Sequence, residues 1–284
     1  MPEAVPALTP IPMRRRECLR VALGAAVTSA LLIPNTFATA KLAWRERVML
    51  GFGTTLWLRA AHADPALLDN ALDAAVQRLR DIEGAMNLFD QGSQIARLNR
   101  HGRLRAPDPH LLAVLATARE VSAASKGLFD ITVQPLWQCW WQDAQDQRLP
   151  RTGALRVAAR AVDWQAVQAD AHSVRFSRPG MAITLNGIAQ GYAADQTARV
   201  LREHGIAHAL LDTGEWAMLG HAQHGLKWTL GLENPATGKP MLTLAPPPNY
   251  SVAMSSNALQ LMGAEHHHII NPHSGRSPVQ LAAV

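Results

Sequence analysis

The first part of the chain shows one strand pattern followed by two helical patterns. Apolar side chains and one threonine occupy every second position from residue 48 to residue 58, which is the period of a half-buried β-strand. Asp64-Pro65 is a typical helix start, and the same signal recurs at Asp108-Pro109. Apolar positions at helical spacing follow the first start, at Leu68, Leu72, Val76, Leu79, Ile82 and Met86. The sequence therefore predicts a strand, a long amphipathic helix that packs back on it, and a second such helix.

A turn signal divides two short alternating segments in the middle of the chain. Pro179-Gly180 lies between residues 173–177 and residues 181–185, and both segments have the two-residue period of strands. Two alternating segments around such a turn are typical of a β-hairpin. We therefore predict that these two segments pair with each other.

Strand patterns dominate the last third of the chain. A helix is predicted from about Ala189 to His204, where Gly205 ends it, and a buried strand is predicted at residues 207–212. Four further strand patterns follow, at residues 227–232, 241–244, 250–254 and 267–270. This order favours an α+β fold of mixed sheets with packed helices over a doubly wound parallel sheet. We expect residues 41–284 to form a single domain.

Composition limits the classes of function. The chain has 284 residues, 48% of them hydrophobic, so it can bury a large core and does not resemble a disordered segment. Its net charge of +5 is spread without a block of like charge after residue 20. A lysine-rich stripe interleaved with aromatic residues is absent from the sequence, so we expect no nucleic-acid partner.

Residues 1–40 have the order of regions found in a signal peptide. A basic cluster that contains Arg15 and Arg16 precedes an apolar stretch at residues 21–34, and Ala38-Thr39-Ala40 then offers a cleavage site. The apolar stretch is shorter than the roughly 20 residues of a spanning helix, so no permanent membrane anchor is expected. The arginine pair resembles a twin-arginine signal, and an ordinary secretory leader is the alternative. Either route predicts a periplasmic protein.

Three glycine-containing polar segments are candidates for chemistry. They cover residues 88–99, 127–137 and 185–195, and in the last one Gly187 and Gly191 flank a predicted helix start. A helix start reached through glycine offers backbone N–H groups to a phosphate and lets the backbone approach it closely. Each glycine alone is also explained by the steric needs of a turn. The segment is nevertheless the best place in the sequence for a pyrophosphate.

Three consecutive histidines, His266, His267 and His268, precede an Asn-Pro turn near the end of the chain. Such a cluster suggests either transition-metal binding or ordinary packing. Because side chains alternate along a strand, His267 would lie on the opposite face from the other two, and the three could not bind one ion. A catalytic base remains as a third interpretation.

Together with this last segment, the three polar segments resemble the FAD:protein FMN transferases, the ApbE family. The most specific matches are the G-x-F-D-x-T-V block at residues 127–133 and the G-I-A-x-G-Y-x-x-D block at residues 187–195. Residues 209–215 and 268–276 are similar to two further family blocks. The sequence of residues 186–192 and 212–216 is most similar to the branch associated with nitrous oxide reductase maturation. The resemblance implies cleavage of FAD and attachment of FMN to a threonine or serine of a target protein through a phosphoester.

The resemblance also implies roles for individual residues. It assigns His268 as the catalytic base and the backbone carbonyl of Ala189 as a ligand of Mg²⁺. The residues that it implies for flavin binding are Phe89, Asp90, Ser93, Asn99, Phe129, Asp130, Thr132, Asn186, Gly187, Gln190, Tyr192, Asp195, Gly214, Glu215 and Arg276. Magnesium ion would neutralise the charge that grows on the phosphate oxygens. The expected partners are FAD as substrate and a membrane-bound redox protein as acceptor.

The sequence departs from the family pattern in its last thirty residues. Ser255-Ser256-Asn257 stands where many members have Ser-Gly-Asp, and Asn271 stands where they have aspartate. Family members continue beyond the position of Val284 with a strand and a helix whose aspartate and threonine bind magnesium, and we expect this chain to lack them. Two alternatives to FMN transfer follow: a flavin-binding accessory protein without transferase activity, and an FAD pyrophosphatase.

Overall fold

The computed structural model describes residues 41–234, 237–257, 260–262 and 266–284. The six α-helices of this described part are α1 Pro65–Met86, α2 Gln94–His101, α3 Pro109–Ala124, α4 Gln134–Gln145, α5 Thr152–Arg160 and α6 Ala189–Glu203. Its strands are β1 Ala43–Gly51, β2 Thr54–His62, β3 Arg103–Arg105, β4 Val167–Ala169, β5 Ser173–Phe176, β6 His208–Asp212, β7 Trp216–Leu219, β8 Leu230–Glu233, β9 Pro240–Leu244, β10 Ser251–Val252, β11 Gln260–Met262 and β12 His266–His267. The predicted signal peptide lies outside the described residues.

The predicted strand at residues 48–58 is wrong in one respect, because it is two strands. Phe52 and Gly53 both have positive φ, at 51° and 75°, and turn the chain back on itself. The alternating residues do not stay on one face through this turn. Val48 and Leu50 pair with Trp57 and Thr55 and are 66% and 80% exposed, whereas Leu56 and Leu58 lie on the opposite, fully buried face. The two-residue period therefore identifies strands but neither the turn nor the buried face of β1.

The main sheet has five strands in the order β1-β2-β6-β7-β10, and all its pairs are antiparallel. Helices α1 and α6 pack together, and α1 also packs on the β1–β2 hairpin. A second sheet of three strands has the order β3-β5-β4, and two separate hairpins are formed by β8–β9 and β11–β12. This arrangement confirms the predicted α+β fold with packed helices. The sheets were predicted to be mixed, but every strand pair of the described residues is antiparallel.

The predicted helix starts are confirmed. Asp64 caps α1 by accepting hydrogen bonds from the N–H groups of Ala66 and Leu67 at 2.8 and 3.2 Å. Asp108 caps α3 in the same way, with the N–H of His110 at 2.7 Å. The predicted helix at residues 189–204 is confirmed as α6.

The predicted hairpin of residues 173–177 with residues 181–185 is wrong. Strand β5 pairs with β3 and β4 instead, and residues 181–185 run as an extended segment outside any sheet. The side-chain amide of Asn99 makes the hydrogen bonds that a neighbouring strand would otherwise make with the backbone of Ile183. It accepts a hydrogen bond from the N–H of Ile183 and donates one to its carbonyl, both at 2.8 Å. An amide side chain can satisfy backbone groups in this way, and the alternation pattern does not reveal it.

The core lies on both faces of the five-stranded sheet. On one face, Leu56 and Leu58 of β2 are fully buried in the main cluster, together with most of the apolar stripe of α1. On the other face, a smaller cluster joins Leu210, Trp216 and Trp228. None of the helices in the described ranges is both long enough and apolar enough to cross a bilayer.

Candidate active site

A pocket of about 340 Å³ lies at the beginning of α6. Its walls come from the turn before α6, from the first two turns of α6, from one face of α3 and from two later loops. The residues that line it are Val114, Thr117, Asn186, Gly187, Ile188, Gln190, Gly191, Tyr192, Asp195, Glu215 and Ala253. Six of the residues that the family resemblance implied for flavin binding therefore share one cavity: Asn186, Gly187, Gln190, Tyr192, Asp195 and Glu215.

The local sequence explains why the start of α6 opens into this pocket. The residue that caps the helix is Ile188, which has no side-chain acceptor, so no side chain covers the first turn. The carbonyl of Leu185 accepts from the N–H groups of Ile188 and Ala189 at 2.9 and 2.8 Å. The next two residues, Gln190 and Gly191, both line the pocket. The positive end of the helix dipole is thus directed at the cavity, as in anion-binding sites.

The predicted segments converge around this helix start. A Cβ atom added to Gly187 would lie 3.5 Å from the ring of Phe129, so the second and third segments are in contact. The hydroxyl of Thr213 donates to the carbonyl of Gln190 at 3.1 Å, which joins the Gly214 loop to α6. Asn99 reaches the same region through its two bonds to Ile183. Residues far apart in the sequence therefore form one site.

Asp130 and Thr132 hold the segment that carries Phe129. The Oδ1 atom of Asp130 accepts from the backbone N–H and the hydroxyl of Thr132 at 2.7 and 2.6 Å, and its Oδ2 atom accepts from the N–H of Trp164 at 3.2 Å. Burial raises the pKa of the Asp130 carboxyl, and these three hydrogen bonds oppose the rise. The carboxyl borders a second cavity of about 260 Å³, whose lining also includes Lys126 and His273.

The residues from the first segment fall into two groups. Ser93 is fully buried and caps α2, with its hydroxyl accepting from the N–H of Ala96 at 3.1 Å. Asn99 is bound to Ile183. Phe89 is 56% exposed, and the exposed carboxyl of Asp90 accepts only a local bond from the N–H of Gly92, at 2.8 Å. Phe89 and Asp90 are thus the two of these four predicted residues whose side chains remain accessible to a ligand.

Comparisons with known proteins agree with this arrangement. The sequence matches the ApbE family over residues 52–284. This chain belongs to the ApbE family. FAD:protein FMN transferases of Vibrio cholerae and Salmonella typhimurium are 24% and 25% identical to it over 223 and 237 residues. These matches cover 75% and 78% of this chain but 66% and 67% of the relatives, so the chain spans about two thirds of their length. A third relative of the same name, from Treponema pallidum, is 25% identical over 285 residues, covering 92% of this chain and 78% of its own.

Solved ApbE structures share the fold. The flavin transferase ApbE from Vibrio cholerae superposes with a TM-score of 0.75 at 21% identity, covering 86% of this chain and 81% of its own. The ApbE protein from Thermotoga maritima gives the same TM-score at 19% identity, covering 85% and 80%. At these identities the likeness establishes the fold.

The C-terminal histidines have three different environments. His266 stacks on Trp140 with ring centroids 4.5 Å apart. His267 is 2% exposed, and its Nε2 atom is bonded to the carbonyl of Pro278 at 2.7 Å, while Ser277 bonds to its backbone. His268 is half-buried and follows the end of β12. His267 is thus a packing residue, and the strand predicted at residues 267–270 is shorter and begins one residue earlier.

The structure does not bring His268 or Arg276 into the lining of the pocket at α6, as far as the described residues define it. Arg276 is exposed, and its carbonyl accepts from the N–H of Asn271 at 2.9 Å. The turn between Asn271 and Arg276 packs on the start of the segment at residues 127–137, because His273 contacts both Lys126 and Gly127. The C-terminal segment is therefore adjacent to the Asp130 region rather than to the start of α6.

Of the magnesium site that the resemblance implies, the structure places Ala189. Ala189 is buried at the first position of α6. Within the described ranges, no three side chains of histidine, cysteine, aspartate or glutamate come together as a metal site. Because magnesium ion usually keeps several waters and binds through one or two carboxylates and the phosphates of its substrate, the described residues would supply only part of its ligands.

The sequence does not predict that α3 forms part of the pocket wall. Val114 and Thr117 line the pocket, and His110 lies behind it, bonded to Tyr192. The helical period of α3 was visible, but nothing in the pattern marks which side faces a cavity. Gly214, which was predicted, supports the site from behind Gln190 instead of lining the pocket.

Proposed function

We propose that this chain transfers the FMN part of FAD to a threonine or serine hydroxyl of a target redox protein, forming a phosphoester. The observation that carries the proposal is the pocket at the start of α6, whose glycine-lined first turn suits a pyrophosphate. Membership of the ApbE family supports it, since several relatives are named FAD:protein FMN transferases.

The start of α6 would bind the pyrophosphate of FAD. Gly187 and Gly191 leave room for the phosphate oxygens, since no side chain extends from either residue into the pocket. The helix dipole and the N–H groups near Gln190 favour a negatively charged ligand. Phe129, which touches Gly187, and the exposed Phe89 offer aromatic surface for the rings of the nucleotide.

The reaction forms one bond and breaks another. The hydroxyl oxygen of the acceptor attacks the phosphorus atom of the FMN half, and the bond from that phosphorus to the bridging oxygen breaks. AMP leaves with the electron pair of the broken bond, and the hydroxyl proton passes to a base. We assign His268 as this base from the family resemblance.

The test is to incubate the purified chain with FAD, magnesium ion and a candidate acceptor protein. A fluorescent flavin band that remains on the acceptor after denaturing gel electrophoresis supports FMN transfer. FAD binding without turnover would instead identify a flavin-binding accessory protein. Release of free FMN and AMP would identify a pyrophosphatase. A parallel reaction with chelator tests the proposed dependence on magnesium.

Location and acceptor are further parts of the proposal. The arginine pair and apolar stretch within residues 1–40 support export to the periplasm, with the twin-arginine route favoured. A membrane-bound redox protein on that side of the membrane is the proposed acceptor. Assignment to the branch associated with nitrous oxide reductase maturation stays a prediction from the sequence of residues 186–192 and 212–216.

A further inference from the structure

One hydrogen bond joins the two helices that line the pocket. The hydroxyl of Tyr192 on α6 lies 2.7 Å from the Nδ1 atom of His110 on α3, and their rings are arranged edge to face with centroids 5.8 Å apart. Tyr192 lines the pocket, whereas His110 lies behind it. The contact therefore spans 82 residues of sequence and ends at the wall of the candidate nucleotide site.

The backbone of His110 is itself held in place. Its N–H donates to the carboxylate of Asp108 at 2.7 Å, which is the N-cap contact of α3. The N–H of Asp108 in turn donates to the side chain of Gln94 at 2.8 Å. Because the helix start is fixed on both sides, the imidazole is presented to Tyr192 from a rigid position. Both rings are half-buried, so water screens their hydrogen bond incompletely.

We propose that His110 is a positioning residue of the flavin site. It fixes the phenol of Tyr192 in one orientation and thereby keeps the α3 wall, with Val114 and Thr117, aligned with the first turns of α6. A phenol that is already fixed loses less conformational freedom when FAD binds, which increases affinity. This inference rests on the proposed function, because it assumes that FAD occupies the pocket.

The test is a double-mutant cycle in FAD affinity, measured by titration of flavin fluorescence with the purified chain. His110→Ala and Tyr192→Phe should each weaken FAD binding about 3- to 10-fold, because a phenol that is not already fixed has to be ordered when FAD binds. The double variant should be no weaker than either single variant, since each removes the same bond. His110→Gln should recover most of the affinity, because its amide can donate to or accept from the phenol.

His204→Ala is the matched control. His204 also makes a 2.8 Å hydrogen bond at α6, but to the carbonyl of Val200 at the far end of the helix. It should leave FAD affinity unchanged. Unchanged affinity in His110→Ala with only a lower melting temperature would overturn the inference, and so would additive losses in the double variant. If the unmutated chain bound no FAD, the proposed function itself would be wrong. If the chain bound FAD equally well with and without His110, only the inference about His110 would be wrong.

Discussion

The side-chain amide of Gln190 occupies the space that a side chain on Gly214 would need. A Cβ atom built on Gly214 would lie 2.7 Å from the Cδ atom of Gln190, closer than carbon atoms approach in proteins. Gly214 also has a φ of +92°, a backbone conformation that residues with a side chain rarely adopt. The loop after β6 can therefore approach the first turn of α6 only because it has glycine at this position.

Gly214→Ala should damage both the fold and the site. The unfavourable φ and the overlap with Gln190 together should lower the free energy of unfolding by about 2 to 4 kcal/mol. Displaced Gln190 should also weaken FAD binding. Urea denaturation and flavin titration measure the two effects.

Gly84→Ala is the control for this substitution. Gly84 lies inside α1, and no atom lies within 4 Å of an added Cβ atom. Alanine should therefore stabilise the helix by about 0.5 to 1 kcal/mol. If Gly214→Ala were equally harmless, the close approach of the loop to α6 would not exist.

His268→Ala should abolish transfer and leave FAD binding intact. Removing a general base typically slows a reaction by about 10²- to 10⁴-fold. The exposed His172, in the turn before β5, provides the control, because His172→Ala should keep full activity. His267→Ala is not suitable for this purpose, since it removes a buried ring bonded to Pro278 and should lower stability. Equal transfer rates for the His268 and His172 variants would place the base elsewhere.

The fold was predictable where the pattern is local. The starts of α1 and α3 are fixed by their aspartate caps, and α6 is fixed by its helical period and by Gly205 after its end, all of which act within a few residues. The failures occur where distant residues decide. The hydrogen bonds of Ile183 are made by Asn99, 84 residues away, so an alternating segment does not join a sheet.

The candidate site shows the same division. The glycines at the predicted helix start within residues 185–195 indicated a phosphate site, and six of the predicted residues share the pocket. His110 carried no signal, because its contact with Tyr192 depends on how α3 lies against α6. Ser93 and Asp130 looked like ligand residues, yet their side chains bond to the protein itself. The matched segments contain both kinds of residue, and the sequence pattern does not distinguish them.

Asp130 should make stability depend on pH. Burial, together with the nearby Asp163 charge, raises the pKa of its carboxyl in the folded chain above the ordinary value of about 3.9. The folded state therefore binds more protons between these two pKa values, and the contribution of Asp130 to stability is lost as pH rises through them. The unfolding free energy of the unmutated chain, minus that of Asp130→Asn, should fall from acidic to neutral pH.

Other carboxyl groups with raised pKa values do not affect this comparison. Burial also raises the pKa values of Asp195 and Asp212, but both residues are present in the two proteins, so their effects cancel in the difference. Chemical denaturation at several pH values gives the required curve. A difference that stays constant or grows with pH would show that the Asp130 carboxyl is not held in a destabilised ionised form.

The export prediction can be tested without any knowledge of the site. Replacing both Arg15 and Arg16 by lysine should leave the precursor in the cytoplasm if the twin-arginine route is used. Replacing only the nearby Arg14 by lysine preserves the pair and should not block export. Fractionation of cells followed by detection of the chain shows its location. Normal export of the double variant would favour the ordinary secretory route.

The most direct test of the account is a charge placed at the proposed pyrophosphate position. Gly191 lines the pocket, and an added Cβ atom there would meet no protein atom within 4 Å. Aspartate and asparagine have almost the same size, but aspartate adds a negative charge in the first turn of α6, where it favours the helix and repels a pyrophosphate. We predict that Gly191→Asp folds as well as Gly191→Asn but binds FAD at least about 10-fold more weakly by calorimetric titration, a difference of about 1.4 kcal/mol. Equal FAD affinities for the two variants would contradict the account, because the nucleotide phosphates would then lie away from the start of α6.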